Sequence, residues 1–170
     1  YYPKFKKKIL HYVVEDEPTN LIKKKKLNLV EKRFNSIFRI NHQRNSIIKL
    51  LNQFSKEDFI LHSDNDEIPN LQFLNLEDLN NKYLIFNQKM FYYKFNLILP
   101  SLKWFGTKGC KIKYLSSIEN LRNLKNKIYP FYRVDTFFSK IKKMNVKIVE
   151  NGGWHFSNLK DPDELQKKYL

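Results

Sequence analysis

The sequence predicts an α/β fold in which a mixed, mostly parallel central sheet is flanked by helices. Short runs of β-branched and aromatic residues, typical of strands, alternate with segments whose apolar residues recur every three or four positions. Hydrophobic residues make up 42% of the 170 positions and aromatic residues 15%, so the chain can bury a substantial core. Because neither a repeat nor a low-complexity linker interrupts it, we expect a single domain spanning residues 1–170.

The composition limits the class of protein and its surroundings. No apolar run is long enough to span a membrane, and Cys110 is the only cysteine, which fits a reducing compartment. The net charge of +15 would suit a nucleic acid or an anionic membrane. Most of that charge is lysine in runs without aromatic residues, so we expect a solvated surface instead. The chain opens on Tyr1 and closes inside a predicted helix, 161–170, so we expect an internal fragment that lacks its N-terminal part and is incomplete at both ends.

The first third of the chain predicts one strand and one long helix. Residues 9–14 are β-branched and aromatic and end at an acidic turn, 15–18, as a strand would. From Phe34 onward the apolar residues follow the period of a helix, and Arg44 falls within this apolar face. Its guanidinium must either pair with an anion or extend its charge into water along an apolar stem. Gln43 precedes it with a further polar group.

The rest of the chain alternates strands and helices. We expect strands at 59–61, 83–87, 90–97, 110–115 and 146–149, and helices at 71–79, 116–124 and 136–144. Pro100 should interrupt the strand pattern, and we expect residues 103–106 to form a loop.

An acidic turn directly follows the strand expected at 59–61. Asp64 and Asp66 are two residues apart, so in an extended segment both carboxylates project to the same side. Adjacent carboxylates repel each other unless a cation lies between them, and oxygen ligands of this kind suit Mg²⁺ or Mn²⁺. The alternative is an ordinary Asx-rich turn or a helix cap. The apolar strand before the turn and Glu67-Ile68-Pro69 after it favour a metal site.

A second polar cluster follows the strand expected at 146–149. Gly152 and Gly153 permit a close backbone approach, and Trp154 and His155 come next. His155 could therefore complete a metal site begun by the two aspartates. The alternative is that His155 makes structural hydrogen bonds and that the tryptophans pack in the core. The sequence contains no glycine-rich phosphate loop, dinucleotide-binding motif or serine-hydrolase motif.

Five short blocks rich in polar, charged or aromatic side chains follow one another along residues 9–159. The blocks are Gln43-Arg44-Asn45, Ser63-Asp64-Asn65-Asp66-Glu67-Ile68-Pro69, Phe91-Tyr92-Tyr93, Trp104-Phe105-Gly106 and Gly152-Gly153-Trp154-His155-Phe156-Ser157. In this order the blocks resemble the family 17 glycosyltransferases. That family includes the β-1,4-N-acetylglucosaminyltransferase that adds the bisecting N-acetylglucosamine to N-glycans.

The resemblance implies a GT-A-like fold, a nucleotide-sugar donor such as UDP-N-acetylglucosamine, and inversion at the anomeric carbon. It implies that Asp64, Asp66 and His155 hold Mn²⁺ or Mg²⁺, which neutralises the leaving diphosphate. The residues implied in donor binding are Gln43, Arg44, Asp64, Trp104, Gly153 and Trp154. Inversion also needs a general base on the acceptor hydroxyl. The carboxylates near the motifs are Glu67, Asp135 and Glu150, and Glu67 is preferred because it adjoins the acidic pair.

The expected function is metal-dependent, inverting glycosyl transfer to a glycan acceptor, with no specific nucleic-acid partner. The residues leave two alternatives open: a metal-dependent phosphoesterase, and a basic module that binds nucleic acid or a membrane surface. The composition fits a cytoplasmic bacterial or viral enzyme, whereas animal relatives lie in the Golgi lumen. Peripheral membrane association is compatible with the positive charge.

Overall fold

The structure, a computed structural model, describes residues 3–72, 74–75 and 79–169. The chain forms two compact units, residues 1–53 and 54–170. The expectation of one catalytic domain over the whole chain stays a prediction. Within the described ranges, no helix is long and apolar enough to cross a membrane.

The first unit is built around a long helix, α1 (Leu29–Ser46), which continues as a 3₁₀ helix at Ile47–Gln53. The apolar period predicts that this helix starts at Phe34, but α1 starts five residues earlier because a capping box forms there. The Asn28 side chain accepts a hydrogen bond from the Glu31 amide at 2.8 Å, and the Glu31 carboxylate accepts one from the Asn28 amide at 3.1 Å. This reciprocal pair satisfies two of the amides that a helix start leaves without partners.

The strand expected at 9–14 is wrong, because these residues form irregular backbone. β-branched residues stabilise a strand only where a neighbouring strand packs against them and supplies hydrogen bonds. Every strand pair in the described part of the chain belongs to the second unit. Ile9 and Val13 accordingly remain 59% and 60% exposed.

The second unit contains a six-stranded sheet. Its strands are β1 (Phe59–His62), β2 (Glu67–Pro69), β3 (Tyr83–Tyr92), β4 (Ile98–Lys111), β5 (Val146–Val149) and β6 (Gly153–Ser157). The order is β1-β4-β3-β6-β2, and β5 also pairs with β3. The strands expected at 59–61 and 146–149 are confirmed.

A mixed sheet in an α/β fold is confirmed, but the expectation that most of it is parallel is wrong. β3 pairs in parallel with β5 and β6. The pairs β1–β4, β3–β4 and β2–β6 are antiparallel. A parallel neighbour needs a long crossover, whereas residues 93–97 join β3 directly to β4.

The two longest strands combine what the sequence divides into several elements. Residues 83–87 and 90–92 belong to one strand, β3, and the loop expected at 103–106 lies inside β4. Pro100 is tolerated because it is exposed near the start of β4. The strand expected at 110–115 supplies only the end of β4 and continues as a 3₁₀ helix, Ile112–Tyr114.

The helices of the second unit are short: α2 (Ile118–Arg122), α3 (Asp135–Phe138) and α4 (Pro162–Tyr169). α2 confirms the helix expected at 116–124, and the Ser117 hydroxyl caps it by accepting from the Asn120 amide at 3.0 Å. The helix expected at 136–144 ends at Phe138. The Ser139 hydroxyl accepts from the amides of Ile141 and Lys142, which offers this backbone an alternative to helical bonds.

The helix expected at 71–79 falls partly outside the described residues, at 73 and 76–78. The remaining positions of that stretch form no helix.

Apolar side chains cover both faces of the sheet near β1. One cluster of buried residues contains Ile85, Cys110, Leu121, Leu124 and Val146, and the other contains Leu79, Leu84 and Phe86.

The sheet curls so that β2 approaches β4. In a flat sheet, three interstrand spacings would separate these strands by about 14 Å. Gly106 of β4 instead lies so close to β2 that an added Cβ would be 2.6 Å from Glu67 Cδ. The curl therefore brings the acidic turn before β2 against the middle of β4.

Candidate functional site

The two motif blocks that carry most of the chemistry lie on neighbouring strands. β2 and β6 pair in antiparallel register, with Glu67 opposite His155 and Ile68 opposite Trp154. The Phe156 amide also donates to the Asp66 carbonyl at 2.9 Å. Residues that are almost ninety positions apart in the sequence thus form one side of a single site.

Gly153 is required where β6 begins beside β2. Its φ of +121° lies in a region that residues with a Cβ rarely adopt. A Cβ there would lie 2.1 Å from the Ile68 carbonyl oxygen and 2.7 Å from the Asn70 amide nitrogen. The glycine therefore allows the backbones of β2 and β6 to approach closely and places His155 opposite the acidic turn.

The register decides which side chains share a face of the sheet. His155 pairs with Met90, and Gln88, two residues earlier in β3, pairs with Trp104. Because alternate residues of a strand share a face, Glu67, Gln88, Trp104 and His155 all project to the same side. Trp154 projects to the opposite side, where it is 39% exposed.

Asp66, Glu67 and His155 present a potential set of metal ligands. One ligand atom of each lies within 4.8 Å of the others. His155 Nδ1 is 3.7 Å from Asp66 Oδ1 and has no hydrogen-bond partner, although the side chain is only 6% exposed. The ring stacks on Trp104 with centroids 4.3 Å apart and planes 17° apart, which fixes its orientation. A buried imidazole nitrogen that faces a carboxylate without a hydrogen bond suits a cation.

Within this set, the carboxylate of Glu67 accepts four hydrogen bonds. Its Oε1 accepts from Trp104 Nε1 at 3.0 Å and from Arg122 at 2.9 Å, while Oε2 accepts from Arg122 at 2.8 Å and from the Asp64 amide at 3.0 Å. Its side chain is fully buried. Burial alone would raise the pKa of Glu67, but the hydrogen bonds from Arg122 and the Asp64 amide outweigh it and lower that pKa.

Arg122 connects α2 to the acidic turn. Besides its two bonds to Glu67, the guanidinium donates to Asp64 Oδ2 at 2.8 Å and to the Gly106 carbonyl. Burial opposes its charge, yet the bonds and charges of Glu67 and Asp64 raise the pKa of Arg122. The sequence predicts only that Arg122 lies in the helix expected at 116–124. One feature of the sequence could have indicated its role. Arginine is scarce in this lysine-rich chain, and the planar guanidinium of an arginine can bind two carboxylates at once, which a lysine does less well.

Lys108 holds the end of α2 in place. Its Nζ donates to the Arg122 carbonyl at 2.8 Å and the Leu124 carbonyl at 2.6 Å, and the residue is 5% exposed. Burial, with a contribution from the nearby charge of Arg122, lowers the pKa of Lys108 to about 8. The position of Arg122 is thus supported from β4 through the backbone of α2.

The remaining expected site residues lie in other surroundings. Gln43 belongs to α1 of the first unit, where it lines a cavity with residues 11–18, and Arg44 follows it in α1. Asp135 pairs with Arg133 at 2.8 Å and Lys142 at 3.0 Å, and these bonds hold its pKa well below the usual range. Glu150 accepts a hydrogen bond from Asn87 at 2.6 Å.

The site thus brings together Asp64, Asp66, Glu67, Trp104, Gly153 and His155 from the expected set. Asp66 and His155 are the side chains of this set that could hold a divalent cation, whereas Glu67 and Arg122 form an ion pair with each other. Comparison with models of known protein families, with curated proteins and with solved structures found no match. The resemblance to family 17 therefore stays a prediction.

Proposed function

We propose that this chain is a metal-dependent, inverting glycosyltransferase with a GT-A-like fold. Its donor would be a nucleotide sugar, UDP-N-acetylglucosamine by the resemblance, and its acceptor a glycan hydroxyl. The observation that carries the proposal is the pairing of β2 with β6, which sets Asp66 Oδ1 3.7 Å from the unpartnered Nδ1 of His155.

Asp66 and His155 are the proposed ligands of Mn²⁺ or Mg²⁺, with Asp64 beside them. One carboxylate and one imidazole would leave most coordination positions to water and to the diphosphate of the donor, as is usual where a metal ion binds a phosphate substrate. When bound, the cation supplies positive charge to the leaving diphosphate, so departure needs no proton transfer.

We assign Glu67 a positioning role instead of the base role expected from its proximity. A base must have a free lone pair and must gain a proton, whereas the carboxylate of Glu67 already accepts four hydrogen bonds and its pKa is lowered. The bonds to the Asp64 amide and to Arg122 hold the acidic turn in one conformation. Asp135 is likewise neutralised by two cations. Glu150 is bonded to Asn87, which neighbours Gln88 in β3 and therefore projects to the opposite face of the sheet, so the general base is left unassigned.

The proposal is tested by calorimetric titration of UDP and of GDP, first with Mn²⁺ and then with EDTA. We expect metal-dependent binding of UDP that Asp66→Asn abolishes. Asp163→Asn, which removes an equal charge from exposed α4, is the matched control and should bind normally.

Preference for GDP would keep the class of enzyme and change the donor. Binding that survives both EDTA and Asp66→Asn, or the absence of binding to either nucleotide, would contradict the proposal. Hydrolysis of a phosphodiester without sugar transfer would favour the phosphoesterase alternative.

A further inference from the structure

A surface loop at residues 125–141, outside the candidate metal centre, has its own internal structure. The Lys125 amide donates to the Ile141 carbonyl at 2.9 Å, which closes the neck of the loop. Inside it, the Arg133 amide bonds the Pro130 carbonyl at 3.1 Å, and α3 follows. Thr136 is buried at 3% exposure and bonds the Arg133 carbonyl through its hydroxyl. The loop is therefore a compact Ω-like segment with a defined backbone.

This compact backbone presents large apolar side chains to solvent. Phe131 and Phe138 are each 86% exposed, the highest values among the exposed hydrophobic residues of the described chain. The other exposed apolar residues of the loop, between 64% and 69%, are Ile128, Tyr132, Val134 and Phe137. The Phe131 and Tyr132 rings also contact each other, with centroids 5.7 Å apart. Several large apolar side chains exposed on one short segment indicate a binding surface.

The segment that carries these apolar residues is also rich in cations. Residues 125–143 contain six cations, Lys125, Lys127, Arg133, Lys140, Lys142 and Lys143. The single acid in that range, Asp135, is paired with Arg133 and Lys142. The same segment therefore combines a strong net positive charge with exposed phenylalanines.

The combination of exposed aromatic, aliphatic and cationic side chains favours one class of partner. Phenylalanine and tyrosine favour the boundary between lipid headgroups and acyl chains, and neighbouring lysines are attracted to anionic headgroups. A single-stranded nucleic acid would need aromatic faces along a basic groove, whereas this surface also exposes Ile128 and Val134, which cannot stack on bases.

We propose that the 125–141 loop binds the surface of an anionic lipid bilayer. Phe131 and Phe138 enter the headgroup region, and Lys125 and Lys127 contact the anionic headgroups. The inference does not depend on the proposed transferase activity, because the loop and its charges are separate from the Asp66–His155 pair.

The test is co-sedimentation of the whole chain with vesicles of phosphatidylcholine alone and of phosphatidylcholine mixed with phosphatidylserine. We expect binding to the mixed vesicles only. Phe131→Ser/Phe138→Ser should reduce that binding at least tenfold. The matched control is Phe95→Ser, which removes a phenylalanine 71% exposed elsewhere on the same unit and should leave binding unchanged.

A charge-matched pair separates a local effect from the overall charge of +15. Each lysine at an anionic surface contributes about a fivefold change in binding, so Lys125→Gln/Lys127→Gln should weaken it roughly 30-fold. Lys25→Gln/Lys26→Gln, exposed in the first unit, should have little effect.

Three results would overturn the proposal. One is the absence of binding to the mixed vesicles, and another is an equal loss in both lysine pairs. The third is self-association in size-exclusion chromatography that Phe131→Ser/Phe138→Ser abolishes while vesicle binding is absent; this would make the loop a contact between copies of the chain. Circular dichroism of each variant verifies that it is folded.

Discussion

Replacing Arg122 with methionine tests the network that holds the acidic turn. Methionine retains an unbranched stem but removes the hydrogen bonds to Glu67, Asp64 and the Gly106 carbonyl. Glu67 then remains fully buried without its guanidinium partner and keeps hydrogen bonds from the Trp104 and Asp64 N–H groups. Removing one partner of a buried ion pair costs about 3–5 kcal/mol, and because two donors remain we expect about 3 kcal/mol.

The assay is urea unfolding followed by circular dichroism, supported by thermal melts. A loss of about 3 kcal/mol should lower the melting temperature by roughly 10 °C. The control is Arg33→Met, which removes an exposed arginine from α1 and should change the free energy of unfolding by less than about 0.5 kcal/mol. The double variant Glu67→Gln/Arg122→Met should be more stable than the sum of the single effects predicts, because neither position of the buried ion pair then carries an uncompensated charge.

The same variant should alter the dependence of stability on pH. In the wild type the pKa of Glu67 is lowered. Its contribution is complete above about pH 4.3, where the unfolded carboxyl is ionised, and is lost as the pH falls through the lowered folded pKa. Without Arg122, burial dominates and the pKa of Glu67 should rise above the unfolded value. The difference in free energy of unfolding between the wild type and Arg122→Met should then shrink as the pH falls towards 4. The reasoning would be refuted if the effects of the two single substitutions simply added in the double variant. It would also be refuted if the stability lost in Arg122→Met did not depend on pH.

Two further predictions concern neighbouring groups. In a Trp154→Phe background, Mn²⁺ should quench the fluorescence of Trp104, which stacks on His155. His155→Gln should weaken that response at least about tenfold, whereas quenching that persists in His155→Gln would place the metal elsewhere. The pKa of Lys108 is lowered to about 8, below about 10.4 in the unfolded chain, so wild-type stability should rise between these pH values by at most about 3 kcal/mol. Lys108→Met should lack this rise when its free energy of unfolding is measured with urea at each pH. Parallel pH curves for the wild type and the variant would contradict the prediction.

The elements that depend on a local pattern were predicted correctly from the sequence. The apolar runs at 59–61 and 146–149 form strands because β-branched and aromatic residues fit a half-buried pleated surface. The helix expected at 116–124 forms because it depends largely on neighbouring residues: the Ser117 hydroxyl satisfies an amide three residues later.

The elements whose structure depends on a distant partner were not predicted from the sequence. Residues 9–14 have strand composition but lack a strand to pair with, and 103–106 form a strand because β3 supplies one. The direction of the sheet followed from the direct connection of β3 to β4 and not from the alternation of elements. Hydrogen bonds between strands depend on tertiary contacts that composition does not record.

The sequence by itself determined the chemistry available to the candidate site: carboxylates at Asp64 and Asp66, and an imidazole at His155 after a glycine pair. Only the tertiary structure decided how those groups are used. It joined Arg122 to Glu67, 55 positions away, and so assigned one carboxylate to a buried ion pair, while Asp66 was left facing His155. The physical reason is that a charge is stabilised by whatever the fold places within a few ångströms of it, and a separation along the chain does not reveal that distance.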